Sequence, residues 1–231
     1  MQTDIDALQR NKFFQDLSAE HLAQLAMHVQ HRHFNAGDVI FEEGDPGNAV
    51  FLIGEGEVKI AVKSPTDRDI TLALLGPGDA FGELSLLDNS PRSATATATA
   101  PATLLVVHRR DFMALVESDI TALRGLLSAL SRIIRNMNQR LADIAMLDVH
   151  GRMAKALFEL SARHGQQTDG GLVIDREVTI EDLAGLVGMY PVQVERLMRD
   201  YQYEYLLKYE NRRITILRED AFRAALGEGR G

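Results

Sequence analysis

The run Phe81-Gly82-Glu83-Leu84-Ser85-Leu86-Leu87, followed by Asp88-Asn89-Ser90-Pro91-Arg92-Ser93-Ala94-Thr95, carries residue types that can hold a sugar phosphate. A glycine before a short helical turn frees backbone N–H groups, and free N–H groups at a helix start make an anion site. Arg92 can add a charge-assisted contact to a phosphate, and Ser93 a hydroxyl. Glu83 can accept a hydrogen bond from a ribose hydroxyl. The plain alternative is a surface loop with a Glu–Arg ion pair. His28, His31 and His33 form an H-x-x-H-x-H cluster, but a solvated helix end running into a strand explains it more simply than a metal does. No Ser/His/Asp set, paired-carboxylate site or Walker loop stands out, so neither an enzyme nor a resident cofactor is expected.

These residues need elements to position them. Residues 13–29 read as a short helix, opened weakly by Ser18 and His21, with Leu22, Leu25, Ala26 and Val29 on one face. From His33 the period shortens. Ala36-Gly37-Asp38, Gly44-Asp45-Pro46-Gly47 and Gly54-Glu55-Gly56 punctuate brief β-branched and aromatic runs, and ITLALLGPGDAF and TATATAPATLLVVH continue the series. Many short strands with glycine turns predict a small antiparallel barrel or jelly roll. A long helix from about Asp119 to Met146 follows. Its apolar residues Ile120, Leu123, Leu127, Leu130, Ile134, Met137, Leu141 and Ile144 are spaced 3,4,3,4,3,4,3, a heptad seam. Self-pairing into a two-fold dimer is the economical way to bury it. An ordinary helix lying along the barrel is the alternative.

The last third predicts a helix over Val149–Arg163 and a short strand or extended piece at LVIDREV. A helix capped by Thr179 follows, with Asp182 as a short stand-in for the usual Glu or Gln of a capping box. Gly188-Met189 turns the chain into a second helix from Pro191, well placed at its first position, to about Tyr203. A hairpin wing with Asn211-Arg212-Arg213 at or near its tip completes a winged helix-turn-helix. Val192, Gln193 and Arg196 sit where such a helix meets base edges, while Arg199, Lys208, Arg212 and Arg213 suit phosphates.

The composition agrees. The chain has 231 residues, 45% hydrophobic and 25% charged, an ordinary globular mix. Zero cysteines exclude disulfides and thiolate metal sites. No apolar run reaches a membrane span, and no secretory signal opens the sequence, so a cytoplasmic location is expected. The net charge of −8 argues against wholesale polyanion binding. Residues 1–149 carry 13 Lys+Arg against 20 Asp+Glu, and residues 150–231 carry 12 against 13, so any nucleic-acid surface belongs in the last third.

FGELSLLDNSPRSATATA resembles the phosphate-binding cassette of cyclic-nucleotide-binding domains, and the strand pattern from Phe34 to Val62 resembles the rest of that barrel. The likeness runs over nearly the whole chain and is similar to the CRP/FNR superfamily of bacterial transcription regulators, especially its cAMP-receptor branch. The resemblance implies an α+β chain in three parts: a sensor domain at 1–117, a dimerisation helix at 118–147 and a winged helix-turn-helix at 148–231. It implies that Glu83 takes the ribose 2′-hydroxyl and that the amide of Gly82 or its neighbours, Arg92 and Ser93 take the cyclic phosphate. Leu84 then packs near sugar and base, and Met137 and Asn138 on the long helix match the positions that touch adenine. Met137 cannot form the hydrogen bond that some relatives make there. An arginine that some relatives place near the phosphate aligns with Ile133.

Relatives usually begin the second helix of the pair with Ser-Arg-Glu-Thr-Val, against Tyr190-Pro191-Val192-Gln193-Val194 in this chain. Arg196 alone matches a base-reading arginine. Gln193 suits adenine and Val192 a thymine methyl. The implied protein is a homodimer binding cAMP and palindromic double-stranded DNA, with RNA polymerase as a partner. The alternatives are a C-terminal domain turned to protein interaction, or a regulator sensing another ligand such as cyclic di-GMP.

Overall fold

The computed structural model describes residues 2–11, 13–64, 69–88 and 90–226. The chain forms two compact units, residues 1–137 and 138–231.

The first unit opens with helices α1 (Gln2–Arg10) and α2 (Ala19–Ala26) and strands β1 (Gln30–Phe34), β2 (Val39–Phe41), β3 (Ala49–Glu55), β4 (Val58–Lys63), β5 (Asp69–Leu75) and β6 (Ala80–Phe81). Helix α3 (Glu83–Asp88), strands β7 (Thr95–Ala98) and β8 (Ala102–His108) and helices α4 (Arg109–Ser118) and α5 (Ile120–Met146) follow. The strands make two antiparallel four-stranded sheets, ordered β1-β8-β3-β6 and β2-β7-β4-β5. Phe51, Ile53, Phe81, Leu104 and Val106 of the first sheet meet Val58, Ala96 and Ala98 of the second in one core. The alternate residues Val50, Leu52, Leu105 and Val107 face a second core built with the helices. Strand β3 is therefore buried on both faces, which is why its sequence is a continuous apolar run rather than an alternation.

Two helical expectations change. α2 is shorter than the 13–29 stretch. Ser18 caps it by accepting from the His21 N–H, and Phe13, Phe14 and Leu17 precede it in turns yet sit in the core. The Asn11 side chain holds those turns, accepting from Phe13 N at 2.8 Å and donating to Gly78 O at 2.7 Å. The unexpected α1 buries only Leu8.

Asp119 separates α4 from α5. Its carboxylate accepts from both the N–H and the hydroxyl of Thr121 at 2.7 Å and bonds His21 at 2.9 Å. The Thr121 bonds, with His21, hold its pKa down to about 2. The start of α5 has two unlike faces. Ala122, Leu126 and Ala129 are buried against the helical core. A Cβ at Gly125 would sit 3.1 Å from the Asp16 carbonyl, so the glycine lets the helix approach. A neighbouring face carries Ile120, Leu127, Ile134 and Met137 at 54–63% exposure. Leu123 and Leu130, also in the heptad series, are half-buried against the core instead.

The second unit contains the end of α5, helix α6 (Val149–His164), strands β9 (Gly165–Thr168) and β10 (Gly171–Ile174), helices α7 (Ile180–Val187) and α8 (Pro191–Tyr203), strands β11 (Leu207–Glu210) and β12 (Arg213–Ile216) and helix α9 (Glu219–Ala225). Its sheet is ordered β11-β12-β10-β9. β9 and α9 were not anticipated by the sequence pattern. Asp148 caps α6 by accepting from Gly151 N at 2.8 Å. Among the described residues no helix is long and apolar enough to cross a membrane.

Candidate functional site

β6 delivers the chain to Gly82, which turns it into α3. Gly82 has φ +78°, and a Cβ there would lie 2.4 Å from Nη1 of Arg92. Both facts require glycine. Arg92 does not point to solvent. At 4% exposure it is among the few buried charged residues. Its Nη1 donates to Gly82 O and its Nη2 to Ala49 O, both at 2.8 Å. The guanidinium carbon lies 4.2 Å from the centre of the Phe41 ring and 5.5 Å from that of Phe51, distances at which an aromatic face attracts a cation. The Arg92 backbone is pinned to the preceding turn through Gly44 N→Arg92 O and Arg92 N→Asp45 O, each 2.8 Å.

Gly47 completes this arrangement. A Cβ there would stand 2.1 Å from Ser85 Cβ and 3.3 Å from Arg92 Nε. The arginine thus threads between two positions that lack a Cβ. Its buried Nε has no hydrogen-bond partner in the structure. Burial pulls its pKa down, opposed by the Asp45 and Glu83 carboxylates.

Glu83, first residue of α3, is half-buried. Burial pushes its carboxyl above the usual carboxylate range, against the pull of its own backbone N–H and of Arg92. It lines a cavity of about 520 Å³ together with Gly54, Gly78, Ala80, Ala129 and Ile133. The structure brings Gly82, Glu83 and Arg92 together. It leaves Leu84 47% exposed and Ser93 exposed. Met137 is 61% exposed and Asn138 is exposed, both on α5. Sequence reasoning missed Phe41, Phe51 and Gly47, which fix the pose of Arg92. The Gly47 turn was visible, but what packs into the space left by its missing side chain was not. Two histidines of the cluster bond to other elements, with His31 Nε2 3.0 Å from Asp4 and His33 Nδ1 3.1 Å from Thr103 Oγ1. Among the described residues no group of His, Cys, Asp and Glu is placed to hold a metal ion.

The second unit builds its surface on α7 and α8. Thr179 Oγ1 accepts from Asp182 N at 3.0 Å and Asp182 Oδ2 from Thr179 N at 3.1 Å, so the short aspartate does close the capping box. α7 ends at Gly188, whose φ of +66° suits a left-handed helix end. α8 buries Val194, Leu197, Met198 and Tyr201. That orientation leaves Val192, Gln193, Arg196 and Arg199 exposed together on the outer face, with Glu195 and Asp200. Gln193 also serves its own helix, its Oε1 accepting from Tyr190 N at 3.2 Å. The wing forms as expected. Asn211 and Arg212, at φ +52° and +61°, make a two-residue turn between β11 and β12.

The wing arginines have acidic neighbours that spacing did not reveal. Arg213 Nη1 lies 2.8 Å from Asp175 and Arg212 Nη1 lies 3.8 Å from Glu177. All five tyrosines of the chain fall between Tyr190 and Tyr209, and two of them are packing residues. Tyr201 OH is 2.9 Å from His150 Nδ1, and Tyr209 OH donates to Val178 O at 2.8 Å.

Residues 31–119 match the family model of the cyclic nucleotide-binding domain, and residues 151–225 that of the Crp-like helix-turn-helix domain. A CRP-like cAMP-activated global transcriptional regulator of Mycobacterium tuberculosis is 32% identical over 91% of this chain and 94% of its own. A CRP/FNR-family transcriptional regulator of Thermus thermophilus superposes with a TM-score of 0.71 at 26% identity, over 87% of this chain and 100% of its own. The c-di-GMP-responsive global regulator CLP of Xanthomonas campestris shares the fold, with a TM-score of 0.72 at 21% identity over 86% of this chain and 99% of its own.

Proposed function

The chain belongs to the CRP family of cyclic-nucleotide-binding transcription regulators, and from that membership we propose that it works as a homodimer switched by cAMP and bound to palindromic DNA. The observation that carries the ligand reading is the Arg92 guanidinium threaded between Gly47 and Gly82 beside Glu83. A cyclic phosphate entering there meets a fixed positive charge, an unpartnered Nε and the freed amides at the start of α3. Glu83 accepts the ribose hydroxyl. The same ligand at Glu83 reaches the wall formed by Ala129 and Ile133 of α5. Leu127, Ile134 and Met137 stand exposed on another face of that helix and pair it with a second copy. Binding then biases a pre-existing equilibrium between poses of the paired DNA-binding units.

Arg196 reads guanine through its exposed position on α8, with Val192 and Gln193 beside it, while Arg199, Arg212 and Arg213 meet phosphates. The regulator acts in the cytoplasm, with RNA polymerase as its partner. A second reading, in which another cyclic nucleotide such as cyclic di-GMP is the ligand, draws on Met137, which offers no useful hydrogen bond to adenine. Calorimetric titration of the purified protein with cAMP, cGMP and cyclic di-GMP tests both. Tight cAMP binding at one site per chain supports the first reading, and preference for cyclic di-GMP replaces it with the second.

A further inference from the structure

We infer that Asp175 and Glu177 act as a brake on sequence-independent DNA binding by holding the wing arginines that phosphates would otherwise take. The inference rests on the DNA-binding reading above and adds the residues that limit it.

The segment between β10 and α7 lies against the wing through several independent contacts. Val178 N donates to Arg212 O at 2.8 Å, and Tyr209 OH donates to Val178 O at 2.8 Å. These bonds fix the backbone at the wing tip. The carboxylates are then within reach of both arginines, with Arg213 Nη1 donating to Asp175 Oδ1 at 2.8 Å and Arg212 Nη1 3.8 Å from Glu177 Oε2. Asp175 is itself held, since its other oxygen accepts from Gln166 Nε2 at 3.3 Å and its N–H donates to His164 O at 2.8 Å. Arg212 has φ +61° and Arg213 is the first residue of β12, so neither backbone is free to carry its side chain elsewhere.

All four side chains are exposed, at 44–66%. The pairs therefore contribute little to folding. Their effect is on what approaches. A phosphate must displace a carboxylate from each arginine and then sit beside that carboxylate's charge. Background binding to DNA is almost wholly a phosphate contribution, so it loses most from such pairs. Suppressing it favours a rare operator over bulk DNA.

The test compares the full chain with the variant Asp175→Asn/Glu177→Gln, with and without saturating cAMP, on a labelled 30-base-pair random duplex. Glu159→Gln/Asp169→Asn, which removes two exposed carboxylates elsewhere in the unit that hold no arginine among the described residues, controls for net charge. Affinity for the random duplex should rise roughly threefold to thirtyfold in the first variant, on the scale of two released surface pairs. The slope of log affinity against log salt should steepen, by up to about 0.9 per freed arginine. The gain from Asp175→Asn alone should vanish in an Arg213→Ala background. Equal gains in the control, or a gain that survives Arg213→Ala, overturn the brake while leaving DNA binding in place. Failure of both wild type and variant to bind any duplex at low salt overturns the DNA-binding reading and the brake with it.

Discussion

Replacing Arg92 with alanine should produce two separable losses. The guanidinium donates to Gly82 O and Ala49 O and covers the Phe41 ring. Removing it leaves two inward-facing carbonyls without their donors, at a cost of about 1–3 kcal/mol each before water enters the gap. The loss of the ring contact adds about 0.5–2 kcal/mol. The total, about 2.5–8 kcal/mol, corresponds to a fall in Tm of roughly 5–30 °C for a chain of this size. On the proposed site the same change removes the charged donor to the cyclic phosphate, worth about 1.5–3 kcal/mol, or roughly ten- to a hundredfold in cAMP affinity. Differential scanning calorimetry without ligand reads the first loss, and isothermal titration at a temperature where the variant is folded reads the second. Arg92→Lys keeps the charge but cannot span both carbonyls, so it should recover part of the affinity and little of the stability. An unchanged ligand-free Tm in Arg92→Ala would refute the inward pose. Unchanged cAMP affinity would refute the site.

Three further outcomes follow from the same geometry. Leu127→Glu with Ile134→Glu alters two exposed positions rather than the half-buried Leu130, so light scattering should report a folded monomer; a wild-type chain that is monomeric at micromolar concentration would remove the coil. Arg196→Ala should cost about 1–3 kcal/mol on the selected operator and relax one symmetric position; a selection from random duplexes that returns the same palindrome for both proteins would disqualify it as a reader. Burial holds the Glu83 carboxyl above the usual range, whereas a ribose hydroxyl donates to its ionised form. Cyclic AMP affinity should therefore fall as pH drops through the raised pKa of Glu83, and Glu83→Gln should bind more weakly with a flat profile; a wild-type profile equally flat from pH 4 to 7 would contradict that role.

Periodicity made the scaffold legible where one face decides. The four residues α8 buries, Val194, Leu197, Met198 and Tyr201, follow the helical period, and the 191–203 boundaries stand as the sequence suggested. The strand-and-turn rhythm likewise located both sheets, because Gly44 and Gly56 mark changes of direction; Gly54, expected in the same turn as Gly56, instead lies inside β3 at a register shift. The rest depended on contacts distant in sequence. α1 buries Leu8 with only Ile5 and Ala7 packed beside it, a stripe too short to advertise a helix. Phe13 and Phe14 look helical by spacing but are held in turns by Asn11, a polar side chain whose partner is Gly78. The heptad series could not reveal that Leu123 and Leu130 lean on the core while Leu127 and Ile134 do not. At the site, residue types gave the chemistry of Gly82, Glu83 and Arg92. The direction of Arg92 was set by Ala49 and Phe41, over forty residues away.

The two ends of the chain treat phosphate-seeking arginines by one principle in two dielectric settings. Arg92 gives both Nη atoms to carbonyl oxygens inside the first unit and leaves Nε unpartnered, and Arg213 gives Nη1 to Asp175 at the surface of the second. At the Nη atoms an incoming phosphate exchanges partners instead of gaining a wholly new one, so that part of the affinity reports a difference between acceptors. For Arg92 the displaced acceptors are neutral carbonyls in a site at 4% exposure. An anion wins that exchange by a charge, and counterions do not reach the pair to screen it. For Arg213 the displaced acceptor is itself an anion in water, so the exchange is nearly even and salt governs it. The buried arginine is thus suited to hold one small ligand firmly, and the exposed one to let go of DNA wherever base contacts do not add to the phosphate contribution.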